Sequence, residues 1–473
     1  MLTGSFETDC RILDNLLEPD ASLRKRDLLI GGRARCRVLF SDGMASQQLI
    51  ADSVVKPLLS WRGPLPERGV PDLLRESVLE APEVKTSESP REWTASLRCG
   101  DALLLIEGER SCLIVGARSF AFRAVSEPED EKVARGPREG FVEPLMVNLS
   151  LLRRRLQSRR LRTELVTVGG TACALCWIEG TADESVLAEL RARLERADPD
   201  AVLDANHVLE LIADAPFGLF RRVGSTARPD AAAAKLLEGR VAVVVDGSPQ
   251  VLTAPFVFLE HFQSPEDYYT PWHSALTARM LRLAGFFIAV TLVPVYVAVI
   301  NYHPGMLSTR MICALALAQE ATPFSAVTEA ALLLLAFDLL REAGMRTPAA
   351  IGQTLSIVGA LILGQSAVEA QVASPPMVVL VALSGVTGLI VTELRDQIVL
   401  LRFPLLVLAE LGGLWGCVMG LMLIGARLAS IRSFGVDYLS SMPFVRQGSH
   451  EDSLLRVSMR FMKRRRFLAG GPR

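Results

Sequence analysis

The sequence predicts an α/β or α+β soluble region in two parts, followed by an α-helical, polytopic membrane bundle. Three observations carry that prediction. The first 270 residues are charged throughout and mix strand-like alternation with helix-like spacing. From Leu283 onward long apolar runs take over, in a chain of 473 residues that is 50% hydrophobic. Between the two, residues 261–283 place Tyr268, Tyr269 and Trp272 ahead of Arg279 and Arg282. That is the aromatic belt and basic flank of a membrane interface. The expected boundaries are a first soluble subdomain over 1–140, a second over 141–270, a membrane domain over 271–440 and a basic tail over 441–473.

In the first subdomain, 35–43 reads as a strand and 46–59 as a helix. The Pro-, Glu- and Arg-rich stretch 61–95 reads as a loop. Residues 100–117 read as two short strands around a turn at Glu107-Gly108. A charged connector over 124–141 leads to a basic helix from Val142 to about Arg160, whose charges read as a solvated face. In the second subdomain a strand is expected over 165–178, helices over 184–197 and 204–213, and a hairpin over 239–255. Its turn is Asp246-Gly247-Ser248-Pro249, so Asp246 and Ser248 are read as turn residues, not as a nucleophile and its partner. Cys173 and Cys176 make the one C-x-x-C among eight cysteines. On a strand, positions three apart face opposite sides, so both are read as buried core thiols.

Four runs can span a membrane: Leu283–Ile300, Leu355–Val372, Pro376–Thr392 and Phe403–Ala426. Pro294 sits in the first, Gln365 and Glu369 in the second, Glu410 in the fourth. The fourth also carries Gly412, Gly416 and Gly420, a small-residue stripe that lets helices pack closely. The stretch 323–344, "PFSAVTEAALLLLAFDLLREAG", is harder to place. Thr322 caps it and Pro323 suits the first helical position. Its charge-free part, Ala330–Phe337, is eight residues, too short to span. It reads as an interfacial or re-entrant helix with Asp338, Arg341 and Glu342 on one face, Asp338 paired with Arg341, and Glu329 left needing a partner. With "MKRRRF" at 462–467 on the cytoplasmic side and no signal peptide in "MLTGSFETDC", both termini are expected inside, and four crossings satisfy that parity.

The formal net charge of −1 argues against a nucleic-acid binder. Walker, G-x-G-x-x-G, G-x-S-x-G and zinc spacings are missing from the sequence, and the five histidines are dispersed. No enzyme activity, cofactor or metal is expected.

Several stretches together carry a family resemblance: "ARGPREGFVEPLMVNLSLLRRRL" (134–156), "ARPDAAAAKLLEGRVAVVVDGSP" (227–249), "EDYY" (266–269), "PVYVAVINYH" (294–303), "REAGMRTPAAIGQTLSIVGALILGQSAVEA" (341–370) and "SFGVDYL" (433–439). The chain resembles the A subunit of the GerA-type spore germinant receptors and the related SpoVAF proteins. It departs from the pattern at Ser325, Asp338 and Asp437, where the family usually has Pro, Glu and Pro. The resemblance implies a multi-pass protein of the spore inner membrane. Its partners would be a transporter-like B subunit and a lipoprotein C subunit, and copies would oligomerise into a nutrient-gated cation channel. An accessory channel of the SpoVAF type, or a stand-alone transporter, are the other readings. In that setting Glu329, Asp338, Arg341, Glu342, Glu369 and Glu410 are the candidates for an ion path or gate.

Overall fold

The computed structural model describes residues 2–17, 23–42, 44–66, 69–118, 125–215, 218–347, 359, 362–440 and 456. The chain divides into two compact units, Met1–Arg123 and Ala124–Arg473.

The first unit is a five-stranded antiparallel sheet between two helical layers. Its strands are β1 (Leu23–Ile30), β2 (Ala34–Ser41), β3 (Val84–Ser87), β4 (Ala102–Ile106) and β5 (Cys112–Val115), in the order β1-β2-β4-β5-β3. Alternation along the strands builds two cores. Cys36, Val38, Leu104 and Leu113 meet the helical run 47–78. Leu39, Leu103, Leu105 and Cys112 meet the helices Phe6–Leu17 and Pro90–Arg98. The stretch 61–95, expected as a loop, instead holds a helical turn from Val70, strand β3 and the start of the Pro90 helix. Pro71 and Pro90 sit in first helical turns, where a missing N–H costs nothing.

The second unit begins with the same plan. Strands β6 (Leu161–Val168), β7 (Thr171–Ile178), β8 (Gly224–Thr226), β9 (Val241–Val245) and β10 (Val251–Ala254) run in the order β6-β7-β9-β10-β8, again antiparallel. Helices Leu145–Leu156 and Pro229–Leu237 cover one face, and Glu184–Arg196 and Ala205–Ile212 the other. The single strand expected over 165–178 is two strands folded at Gly169-Gly170. Both glycines have positive φ, as do Gly31-Gly32 at the equivalent turn of the first sheet. Gly100 and Gly239 end equivalent helices in the same way, and Gly108 and Gly247 occupy equivalent hairpin turns. Strand order, helix order and turn glycines all repeat, so the soluble region is a duplicated α/β unit.

After β10, short 3-10 turns at Phe258–Phe262 and Pro265–Tyr268 lead into the helix Trp272–Tyr302. Among the described residues two helical stretches are long and apolar enough to cross a bilayer, Trp272–Tyr302 at mean hydropathy 2.5 and Thr392–Ser430 at 1.9; Pro375–Leu389 is apolar but shorter. The second long stretch is not one rod. Gly413 adopts φ 57°, ψ −141°, outside the helical region. A Cβ on Gly416 would lie 1.9 Å from the Leu408 carbonyl oxygen, and one on Gly420 would lie 2.6 Å from the Leu405 side chain. In a straight helix, residues eight and fifteen apart stand roughly 12 and 22 Å apart. The chain therefore doubles back at Gly413, with legs over 395–412 and 414–430, each about 26 Å long.

Contacts along the first long helix order the rest. Ala326 and Ala330 pack with Val293 and Val297 near its distal end, and Glu342 reaches Arg395 at the domain end. Gly359 lies beside Leu340 and Gly364 beside Val378. Ser374 then starts Pro375–Leu389, which descends past Ala289, where the Ser384 hydroxyl donates to the Ala289 carbonyl at 2.9 Å. Among the described residues the bundle holds the helices Trp272–Tyr302, Ala326–Arg346 and Pro375–Leu389 and the two legs of the reversal at Gly413. The helix Ala326–Arg346, expected as interfacial or re-entrant, is not among the helices long and apolar enough to cross a bilayer, and its charges find partners inside the bundle. Phe403–Ala426, expected as one span, straddles the reversal. Part of Leu355–Val372 lies outside the described residues. After Ser430 the hairpin β11 (Arg432–Ser433) and β12 (Val436–Asp437) returns to the second α/β subdomain, where Phe434 joins its core. Of the tail 441–473 only Arg456 is described, buried with its guanidinium donating to the Thr270 carbonyl at 2.9 Å.

Candidate functional site

The polar groups inside the bundle form three sites at different depths. The distal one is built on Glu329. Ser325 caps its helix by accepting from the Thr328 N–H, which places Glu329 in the first turn. One carboxylate oxygen accepts from the Ser374 N–H at 2.6 Å and from the Ser374 hydroxyl at 2.7 Å. Ser374 is the N-cap of Pro375–Leu389, so the carboxylate faces the positive end of that helix. Glu329 is 1% exposed, and its second oxygen is buried without a hydrogen bond. The partner that the sequence left open is a helix N-terminus.

Nearer the domain end, Asp338 pairs with Arg341 one turn on at 3.4 Å and with Arg402 of the hairpin. Arg402 is 2% exposed. Glu342 pairs with Arg346 at 2.8 Å and with Arg395 at 3.6 Å. The expected Asp338–Arg341 pair is present, and the hairpin arginines Arg395 and Arg402 turn it into a network joining Ala326–Arg346 to the hairpin.

The remaining carboxylates stand apart from these. Glu369 is exposed on the outer surface of its helix, accepting from the Gln365 amide at 2.8 Å. Glu410 sits at the hairpin tip, where it accepts from the Asn301 amide at 2.8 Å, while the Tyr302 hydroxyl donates to its carbonyl. Gly413 packs against Tyr302 and His303. Of the glycine stripe, Gly416 and Gly420 close the hairpin on itself, and Gly412 has nothing within 4 Å.

A third group, which sequence reasoning missed, joins the second α/β subdomain to the bundle. Asp267, which its 3-10 turn fixes, accepts from Arg279 at 2.9 Å and from Arg282 at 2.8 Å. Burial disfavours its charge, but the two guanidinium groups outweigh that and hold its carboxyl below the usual range. His261 lies 3.3 Å from Glu393 through Nδ1 and 3.0 Å from the Tyr438 hydroxyl through Nε2. The signal was in the sequence: Asp267 falls twelve and fifteen residues before the two arginines read above as the basic flank of a membrane interface.

The residues weighed as chemistry take structural places. Ser248 donates to Asp204 at 2.5 Å and Asp246 accepts from the Leu145 N–H at 2.9 Å. Cys173 and Cys176 fall in the cores on opposite faces of the sheet, and burial pushes each thiol up to about 11. Among the described residues no group of three or more His, Cys, Asp or Glu is placed to hold a metal ion.

Comparison with known proteins bears on what these sites serve. The profile described as "Bacillus/Clostridium GerA spore germination protein" matches residues 11–467. Spore germination protein KA of Bacillus subtilis (strain 168) is 37% identical over 440 residues, covering 91% of this chain and 80% of its own. Spore germination protein A1 of the same organism is 32% identical over 454 residues, covering 95% and 93%. A crystal structure of the N-terminal domain of the A subunit of the Bacillus megaterium spore germinant receptor GerK3 covers 54% of this chain and 97% of that one. Its identity is 24% and its TM-score 0.22, which adds nothing to the sequence matches.

Proposed function

The chain belongs to the GerA family of spore germination proteins, and from that premise we propose that it is a germinant-receptor A subunit whose copies assemble into a nutrient-gated cation channel. In this reading the bundle is multi-pass in the spore inner membrane, with both termini on the cytoplasmic side. A transporter-like B subunit and a lipoprotein C subunit are its partners, and the chain performs no covalent chemistry. The supporting observation is how the carboxylates are distributed. Glu329 and Asp338 have their partners within one copy of the bundle. Glu369 is exposed on an apolar helix, and among the described residues it accepts from a neighbouring amide, that of Gln365. A charge in that position inside a bilayer needs water or another chain. A water-filled path between copies, bordered by the 362–369 helix, supplies both.

Potassium release from spores carrying Glu369→Gln, at normal protein level, tests this. Release several-fold slower than wild type is the expected result. Glu329→Gln should instead act through protein level, because it disturbs the Ser374 cap. Normal release from Glu369→Gln, together with a monomeric detergent-purified protein, would sink the reading.

A further inference from the structure

The duplication gives the chain two equivalent places, one filled from within and one open. In both units the first two strands pair in the same register. Arg24 pairs with Phe40, Arg26 with Val38 and Leu28 with Cys36 across β1 and β2. Arg162 pairs with Trp177, Glu164 with Leu175 and Val166 with Cys173 across β6 and β7. The outer end keeps its ion pair as well, Arg24 with Asp42 at 3.0 Å and Arg162 with Glu179 at 2.6 Å.

In the second unit the place beside the aromatic ring is taken. Arg191, on the helix Glu184–Arg196, donates to Glu164 at 2.6 Å and holds its guanidinium 6.0 Å from the centre of the Trp177 ring. In the first unit the strand charge is reversed and the filler is gone. Arg26 stands where Glu164 does, and Val55 where Arg191 does. Val55 lies nine residues after its N-cap Ser46, and Arg191 eight after its N-cap Asp183. The additional residue is a bulge, where the Lys56 N–H donates to the Ala51 carbonyl five residues back. Such bulges are frequent at functional sites. The result is an open groove of about 530 Å³. Val38, Phe40, Ile50, Ala51 and Val55 line it, with Arg24 and Arg26 at its rim. Asp42 is engaged by Arg24 at 3.0 Å and by the Gln47 amide at 2.8 Å. Arg26 is exposed, so its donors are within reach, and among the described residues it has no carboxylate partner.

We infer that this groove binds a small organic carboxylate with an apolar body, its carboxylate on the Arg26 guanidinium and its body against Phe40 and Val55. A guanidinium meets a carboxylate with two parallel hydrogen bonds. A ring the size of benzene needs roughly 150 Å³, less than the groove offers. Such a ligand brings from outside the two things that the second unit supplies for itself: a charge opposite to that of the strand residue and a group beside the aromatic ring. A carboxylate without a body leaves the apolar floor uncovered, and an ammonium is repelled by Arg26. The inference stands whether or not copies of the chain form a channel.

The test is ligand-observed NMR on the full-length protein in lipid nanodiscs with sodium benzoate, and with sodium formate and benzylammonium chloride in parallel. Saturable binding of benzoate alone is expected. Arg26→Gln should weaken it about tenfold, the loss expected for a hydrogen bond between charged groups. Ala51→Phe, which fills the groove and removes no charge, should weaken it as much. Should Ala51→Phe fail to fold, Arg26→Gln, at an exposed side chain, decides. Benzoate that does not bind, benzoate binding that Arg26→Gln leaves unchanged, formate bound as tightly as benzoate, or benzylammonium bound with the same dependence on the variants would each overturn it.

Discussion

The two α/β units share one plan and differ in what each is fastened to. In the first, a buried carboxylate at the fourth position of the opening helix, Asp9, holds Thr3 and Gly4. In the second, a buried amide at the same helix position, Asn148, holds Val142 by both its N–H and its carbonyl. The same device serves a chain end in one copy and an internal connector in the other. Beyond the last strand the copies part: only the second continues into the charged turn around Asp267 and then the bundle. A repeated unit thus supplies the frame, and the parts added to its second copy are the ones placed to pass a signal on.

The largest expected effect lies in that added part. Asp267→Ala leaves Arg279, 1% exposed, and the half-buried Arg282 without their carboxylate. Breaking a buried ion pair by removing one partner costs about 3–5 kcal/mol, so a loss of up to about that order in chemical denaturation is expected, with no counterpart in the first unit. The pH dependence has a definite sign. A carboxyl held below its ordinary value contributes stability above that value, near 3.8, and loses it as pH falls through the folded-state value. The wild type should therefore lose stability more steeply below pH about 4 than Asp267→Ala does. Equal slopes would show that the arginines do not depend on this carboxylate.

Next come the paired positions of the two copies. Asn148 is fully buried, and Asn148→Ala strands two backbone groups inside the protein. A cost of about 2–3 kcal/mol follows. Asp9→Ala releases Thr3 and Gly4 near the surface, where water replaces the carboxylate, and should cost about 1 kcal/mol. Equal costs in thermal melts would mean that the two polar residues are not the same device.

Much of the soluble fold was legible in the sequence: β2, the β4–β5 and β9–β10 hairpins and the helices after β7 come from periodicity and turn residues. The duplication was not, because what repeats is glycine placement and strand order, while the side chains between have diverged. In the bundle, apolar length misled. Phe403–Ala426 has the length of a span, yet one backbone angle at Gly413 folds it in half, and hydropathy does not record backbone angles. Arg402, one residue before that run, was the missing partner of Asp338. Pairs such as Asp338–Arg402, Glu329–Ser374 and Asp267–Arg279 join residues far apart or in different elements, so spacing along one helix could not reveal them. Gly416 and Gly420, read as a face that lets helices pack closely, do so between the two legs of one hairpin.

The smallest expected effects fall at the second glycines of the two-glycine turns, where the copies agree most closely. Gly31 and Gly169 have φ near 53°, and a Cβ there would lie 2.3 Å from the Trp61 carbonyl and 2.9 Å from the Pro199 carbonyl. Alanine at either position meets both a disfavoured angle and backbone that cannot easily retreat, a cost of about 1–3 kcal/mol. The second glycines, Gly32 and Gly170, share the left-handed angle, at φ 76° and 77°, but have nothing within 4 Å of a Cβ. Asparagine tolerates that region, so Gly32→Asn and Gly170→Asn should each change stability by less than about 1 kcal/mol. Thermal melts of the four variants would show two sensitive first positions and two tolerant second positions. A turn that reversed this order would have a different geometry from its twin, and the duplication would then extend to strand order without extending to the turns.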